Sequence, residues 1–155
     1  LVSFISVIPN SVYGINDNFD LESSHVLSAL IRRIHEAKIN NKNSVTLWGT
    51  GAPKREFVFV DDLVKACLHI LKSNISKEKL PINIGVGSDI SIKSLASLVS
   101  FIIGYNGEIK WDTSKPDGAP RKLLNNSIVK SLGWLPNESL DSGVRKVYEW
   151  YLETI

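Results

Sequence analysis

Short β-rich apolar runs alternate along the chain with longer stretches in which apolar residues recur at the helical period. The first run, "VSFISVI" (Val2 to Ile8), is stopped by Pro9-Asn10 and predicts a strand. A polar stretch rich in Asn, Asp, Gly and Ser follows to Ser23 and predicts a loop. Leu27, Leu30, Ile31 and Ile34 then share one helical face, which predicts a helix capped by Ser24 and dying in "NNKN". "VTLW" (Val45 to Trp48) and "EFVFV" (Glu56 to Val60) predict strands on either side of the turn "GTGAP". Asp61 is expected to cap a helix buried through Leu63, Cys67, Ile70 and Leu71. Beyond it the pattern gives a strand in "PINIG", then a helix from Ser91 with Leu95, Leu98, Val99 and Ile102 inward. "GEIKWD" reads as a strand and Asp112 to Pro120 as a polar loop. A short helix at Ser127 to Leu132 should end at Gly133, before a last helix from Ser139 that buries Leu140, Val144, Val147, Tyr148 and Tyr151. Strands alternating with helices predict an α/β fold.

Composition narrows the class. A chain of 155 residues fits one unit, 1–155, and is long enough to bury a core. With 43% apolar and 22% charged residues it has the balance of a soluble globular protein. A net charge of +2 is too weak to argue for nucleic acid. No apolar run approaches the ~20 residues of a membrane span, so no membrane partner is expected. A single cysteine, Cys67, excludes an internal disulfide framework and a cysteine-based zinc site; a reducing cytoplasm is the expected setting. The opening run has no basic segment or small-residue cleavage site, so it reads as a buried strand and not a signal peptide. A buried strand needs neighbours on both sides. The chain is therefore expected to be the C-terminal part of something longer, with an exposed apolar sheet edge where the rest would sit.

Several side chains bear chemistry. Arg32, Arg33, Lys54, Arg55, Arg121 and Lys122 gather near loops. Such a set forms either a solvated face or an anion site. Arg55, between a Gly-rich turn and an apolar strand, and Arg121-Lys122, after the long loop "DTSKPDGAP", favour the second, because guanidinium groups grip phosphate through paired hydrogen bonds. A pocket with two or three such arginines would suit a nucleotide diphosphate. Trp48, directly before the Gly-rich turn, is either a core or edge packing residue or a flat platform for a base or sugar ring. "IGVG" begins like a dinucleotide fingerprint, but Ile90 breaks G-x-G-x-x-G. No Tyr is followed four residues later by Lys. Cys67 lies on the apolar phase of its helix and is expected to be an inert buried thiol. His35 and His69 are helix residues without evident partners. His25 is either a helix-start residue or an acid/base group. The positive end of a helix disfavours an imidazolium, and a neutral imidazole can accept a proton and return it.

"PNSVYG", "WGTGAPKREFVFVDDL" and "INIGVG" resemble the C-terminal half of the extended short-chain dehydrogenase/reductases that act on nucleotide sugars. "NDNFDLESSHVLSALIRRIHEAK" and "DTSKPDGAPRKLL" resemble, within them, the GDP-L-fucose synthase family. The resemblance runs from Val2 to "VYEWYLE". It implies the last parallel strands of a Rossmann-type sheet plus a small α/β substrate-binding domain. It also implies a multifunctional oxidoreductase and isomerase. Such an enzyme inverts C3 and C5 of GDP-4-keto-6-deoxy-D-mannose and reduces C4 with NADP(H), as a homodimer.

By position, the resemblance implies that His25 is the epimerising histidine and also a cofactor contact. Pro9, Asn10, Ser11 and Val12 match the segment beside the nicotinamide. Arg33, Trp48, Arg55 and Asp117 match substrate contacts. The family usually reads Pro-Thr-Asn where this chain has Pro9-Asn10-Ser11, which leaves that contact to be decided. The family's Gly-rich phosphate loop, catalytic serine, epimerising cysteine and Tyr/Lys pair have no match here and are expected upstream. The chain alone is therefore expected to be inactive in reduction and to hold NADP poorly. Another nucleotide-sugar epimerase or dehydratase, or a non-catalytic nucleotide-sugar-binding module, are the alternatives.

Overall fold

A computed structural model describes residues 4–73 and 81–155; Leu1, Val2 and Ser3 of the first expected strand lie outside them. The first strand is shorter than its apolar run. β1 spans Val7–Pro9 and pairs in parallel with β6, Ile82–Ile84, over three residues. The partner strand is only three residues long: Ser6 O still accepts from Ile82 N at 3.0 Å, but Phe4 and Ile5 lie outside the register of the pair. Asn10 carries the pairing one residue further by donating its N–H to Ile84 O at 3.2 Å. β2, Ser11–Tyr13, was hidden in a stretch of loop-like composition; it forms because β5, Phe57–Phe59, runs parallel beside it.

α1 covers Val26–Ile39 and buries Leu27, Leu30, Ile31 and Ile34, the expected stripe. Its cap differs. His25, not Ser24, occupies the N-cap position and contributes no side-chain hydrogen bond. Ser24 Oγ is buried without a partner among the described residues. The loop before α1 is held to it from Asp17, whose carboxylate accepts from the Ser28 hydroxyl at 2.6 Å. β3, Ser44–Trp48, pairs in parallel with β8, Glu108–Asp112, as two five-residue strands. A small mixed sheet has β4, Lys54–Arg55, at its centre. β7, Ile90–Ser91, runs antiparallel on one side of it and β9, Arg121–Lys122, parallel on the other.

α2, Val60–Lys72, starts two residues earlier than expected, with Phe59 at the N-cap and Asp61 in the first turn. There a carboxylate still complements the helix dipole. The buried face is rotated as well. Asp62, Ala66 and Ile70 are buried, Leu63 and Cys67 are half-buried, and Leu71 is exposed. The rotation follows from Asp62, whose Oδ2 accepts from the N–H groups of Asn137 and Glu138 at 2.8 and 2.7 Å and must therefore face inward. Cys67 is accordingly less enclosed than its sequence phase suggests.

The remaining helices follow the pattern. α3 is Ile92–Ile103, capped by the Ser91 hydroxyl, which accepts from Ser94 N. α4 is Ser127–Ser131, and α5 is Leu140–Thr154, capped by Ser139. Both helix histidines have partners after all: His35 Nδ1 lies 3.0 Å from Tyr148 Oη, and His69 Nε2 lies 2.7 Å from Leu132 O. Burial of His35 lowers its pKa, and Lys38 adds to the effect.

The interior has two parts. The larger one joins α1, α3 and α5 to β2, β3 and β5 through residues such as Ile31, Val99, Val144 and Tyr13. The smaller one gathers Ala66, Ile70, Ile82, Ile84, Val129 and Trp134 around β6. β1 forms an edge of its sheet, and Phe4 and Ile8 beside it are exposed, in line with the apolar edge expected there. Among the described residues no helix is long and apolar enough to cross a membrane.

Two isoleucines of α1 isolate the contribution of packing. Ile34 is fully buried, whereas Ile39 is 59% exposed. Ile34→Ala should lower unfolding free energy by about 2–5 kcal/mol and Ile39→Ala by less than about 0.5 kcal/mol, read by chemical denaturation. Equal losses would contradict the placement of that stripe.

Candidate active site

Pro9 and Ile84 are register partners and end adjacent parallel strands, so both chains leave the sheet at one edge. Sheets of this kind bind ligands beyond the carboxyl ends of their strands. At that edge lies a cleft of about 600 Å³. One wall is the Pro9, Asn10, Ser11 and Val12 segment where β1 passes into β2; His25 and Val26 bring in the start of α1; Arg55 and Lys122 form the far side. All four residues expected beside a cofactor thus share a cleft with the candidate acid/base group. His25 is exposed, and its carbonyl accepts from Ala29 N at 2.9 Å to close the first turn of α1.

Arg55 and Lys122 are side by side on parallel strands, as register partners. Neighbouring strands lie about 4.8 Å apart, so two cations are held close together at the rim. Neither forms a salt bridge among the described residues. Arg55 Nη1 donates to Lys54 O and Ala119 O at 2.7 and 2.6 Å, which fixes the guanidinium beside the 112–120 loop. Other members of the cationic set are neutralised where they stand: Arg32 by Glu36 at 2.8 Å, and Arg121 by Asp89. Sequence position alone did not separate the free cations from the paired ones.

Arg33, Trp48 and Asp117 do not line this cleft. They line two smaller adjoining cavities, of about 180 and 310 Å³. Val26 borders all three spaces, and Arg55 is shared by the large cleft and the smallest cavity. Trp48 is 66% exposed, which decides against core packing. Cations flank its ring, with Arg33 Cζ 5.7 Å and Lys115 Nζ 5.8 Å from the centroid.

Asp117 uses both carboxylate oxygens on Thr50, accepting from its N–H at 2.9 Å and its hydroxyl at 2.6 Å. It ties the polar loop to the turn after β3. The Thr50 hydroxyl, and then its N–H, hold the Asp117 carboxyl below the ordinary aspartate range.

The Asn10 side chain is engaged within the protein. Its Nδ2 donates to Glu56 Oε2 at 2.5 Å, and its Oδ1 accepts from Ser11 N at 2.9 Å. Tyr13 lies at the back of the cleft but is buried edge-on against Phe57 and Phe59. Burial raises its phenol pKa well above the usual range, with Glu138 and Asp62 adding to the effect, so Tyr13 is unsuited to give up a proton. Glu56, Thr50 and Asp17 take part in this architecture without having been singled out in the sequence. The signal for Glu56 was available: an acidic residue inside the apolar run "EFVFV".

The model of the NAD dependent epimerase/dehydratase family matches residues 2–85, more than half of the chain. The chain belongs to the NAD-dependent epimerase/dehydratase family. Within that family it is 50% identical over 151 residues to the Putative GDP-L-fucose synthase 2 of Arabidopsis thaliana, covering 97% of this chain and 45% of that protein. It is 42% identical over 155 residues to the GDP-L-fucose synthase of Escherichia coli, covering 96% of this chain and 48% of that protein. Among solved structures, a GDP-L-fucose synthetase from Naegleria fowleri bound to NADP superposes with a TM-score of 0.88 at 28% identity, over 97% of this chain and 47% of that one. The chain therefore spans about half the length of the relatives it matches. The expected α/β class, as part of a Rossmann-type reductase fold, holds.

The tie between Asp117 and Thr50 can be read by titration. A lowered carboxyl pKa means the tie is intact above the ordinary aspartate range and is lost as pH falls through the lowered value. Thr50→Val should move the Asp117 titration back up towards its ordinary value, measured by carbon NMR. An unmoved curve would assign the shift to another cause.

Proposed function

We propose that the chain is the substrate-binding part of a GDP-L-fucose synthase. Such an enzyme converts GDP-4-keto-6-deoxy-D-mannose to GDP-L-fucose by inverting C3 and C5 and then reducing C4. The observation that carries this reading is that His25 and the Pro9–Val12 segment line one cleft, with Arg55 and Lys122 unneutralised at its rim. The similarity to proteins named GDP-L-fucose synthase, over nearly all of this chain, supports it.

A ketone at C4 acidifies the hydrogens on C3 and C5. Removing one gives an enolate, and returning it to the opposite face inverts the centre. That needs a proton carrier open to the cleft. His25 qualifies by position: it precedes the first turn of α1, so its ring is not packed inside the helix bundle. Positioned acid/base groups of this kind contribute about 10²–10⁴-fold. Arg55 and Lys122 supply paired positive charge for a diphosphate, and Trp48 with Arg33 offers a flat cationic face for a base or sugar ring.

The Pro9–Val12 segment is apolar at Pro9 and Val12 and polar at Ser11, a surface that suits a nicotinamide ring and its amide. Bound NADPH supplies the hydride for C4. The family's proton-donating tyrosine, its serine and its epimerising cysteine are assigned to the half of the relatives' length that this chain does not span. A cytoplasmic homodimer is the assembly proposed for the full-length protein.

In the full-length protein, His25→Asn should cut solvent deuterium incorporation at C3 and C5 by about a hundredfold or more while NADPH binding stays intact. Deuterium incorporation at the wild-type rate would remove His25 from the reaction. A protein that binds the nucleotide sugar but never exchanges these hydrogens, with His25 intact, would be a binding module instead.

A further inference from the structure

Glu56 is fully buried, yet no Lys or Arg lies within ion-pair distance of it among the described residues. An apolar residue would fill this buried position between β4 and β5 at lower cost than a carboxyl group. What the carboxyl does is collect donors from three separate segments. Oε2 accepts from Asn10 Nδ2 at 2.5 Å and from Leu124 N at 3.1 Å. Oε1 accepts from Gly87 N at 2.6 Å. Asn10 Nδ2 also reaches Lys122 O at 3.4 Å. One oxygen atom thus ties the Asn10 turn to the stretch that follows Lys122.

The "IGVG" sequence finds its use here. A side chain at Gly85 would put its Cβ 2.5 Å from Glu56 Oε1, so glycine is what admits the carboxyl. Gly87 sits at φ +84°, the left-handed region, which turns its N–H towards Oε1. These glycines serve a buried side chain of the same protein and not a bound phosphate.

We propose that Glu56 is the positioning residue of the cleft: it holds the cofactor-facing turn at Asn10 and the Lys122 segment at one separation. Each ligand then finds its wall already set by the other. The proposal rests on the function assigned above.

Glu56→Gln in the full-length protein tests it. Glutamine keeps one acceptor and presents a donor either to Gly87 N or to the Asn10 and Leu124 donors. The expected result is a rise of about tenfold in both the KM for GDP-4-keto-6-deoxy-D-mannose and the Kd for NADPH, the scale of one unmet buried hydrogen bond. Amide exchange at Leu124 or Gly87 should quicken with it. Adding Asn10→Asp, which accepts from the glutamine amide, should recover part of both constants. Unchanged constants, or a loss explained wholly by a smaller folded fraction, would overturn the proposal.

Should that variant not fold, Asn10→Ala leaves both backbone donors in place. It should weaken cofactor and sugar nucleotide together and quicken exchange at Leu124. A change in NADPH binding alone, with Leu124 exchange unaltered, would show that no coupling passes through Glu56. Wild-type protein that leaves the keto sugar unchanged would overturn the assigned function, and Leu124 exchange in Asn10→Ala would still decide for or against Glu56.

Discussion

A carboxyl group can be enclosed in a protein interior only where donors saturate it. For Glu56 those donors come from residues 46, 31 and 68 positions away along the chain. The turn after β1, the glycine turn after β6 and the connection from β9 to α4 are therefore fastened to one point. The cleft is the space these fastened segments leave open at the carboxyl edge of the β1–β6 pair. Its shape depends on a buried polar contact as much as on apolar packing.

Electrostatics divides the surface around that space. Arg32 and Arg121 are cancelled by Glu36 and Asp89, which leaves Arg55 and Lys122 as the positive pair at the rim. Trp48 stands apart with Arg33 and Lys115 on its faces, in a neighbouring cavity. The 112–120 loop is drawn over the turn after β3 by Asp117 and Thr50, and Arg55 is pinned to the same loop through Ala119 O. The side chains matched to substrate contacts are thus not one cluster but a row running from the cleft past Val26 to the exposed indole.

The larger interior explains why His25 can stand at that row's inner end. α1 is clamped by Leu27, Ile31 and Ile34 against α3, α5 and β3, so its first turn has little freedom. The residue just before that turn is exposed and lines the cleft, while the helix behind it is packed into the core.

Periodicity determined most of the helices by itself: the α1 stripe, the serine caps of α3 and α5, and the inward residues of α5 are all local consequences of spacing. The apolar strands β3, β5 and β6 were legible for the same reason, and so were the residue types fit to hold a phosphate or move a proton. The tertiary structure alone decided the rest. Three-residue strands such as β2 exist only because a partner lies beside them. The phase of α2 was set by Asp62 reaching the backbone at Asn137, and the partners of His35, Asn10 and Asp117 are all distant in sequence. Local sequence encodes a residue's conformational preference; which charges cancel, and which donors a buried acid collects, depend on distances that only the folded chain creates.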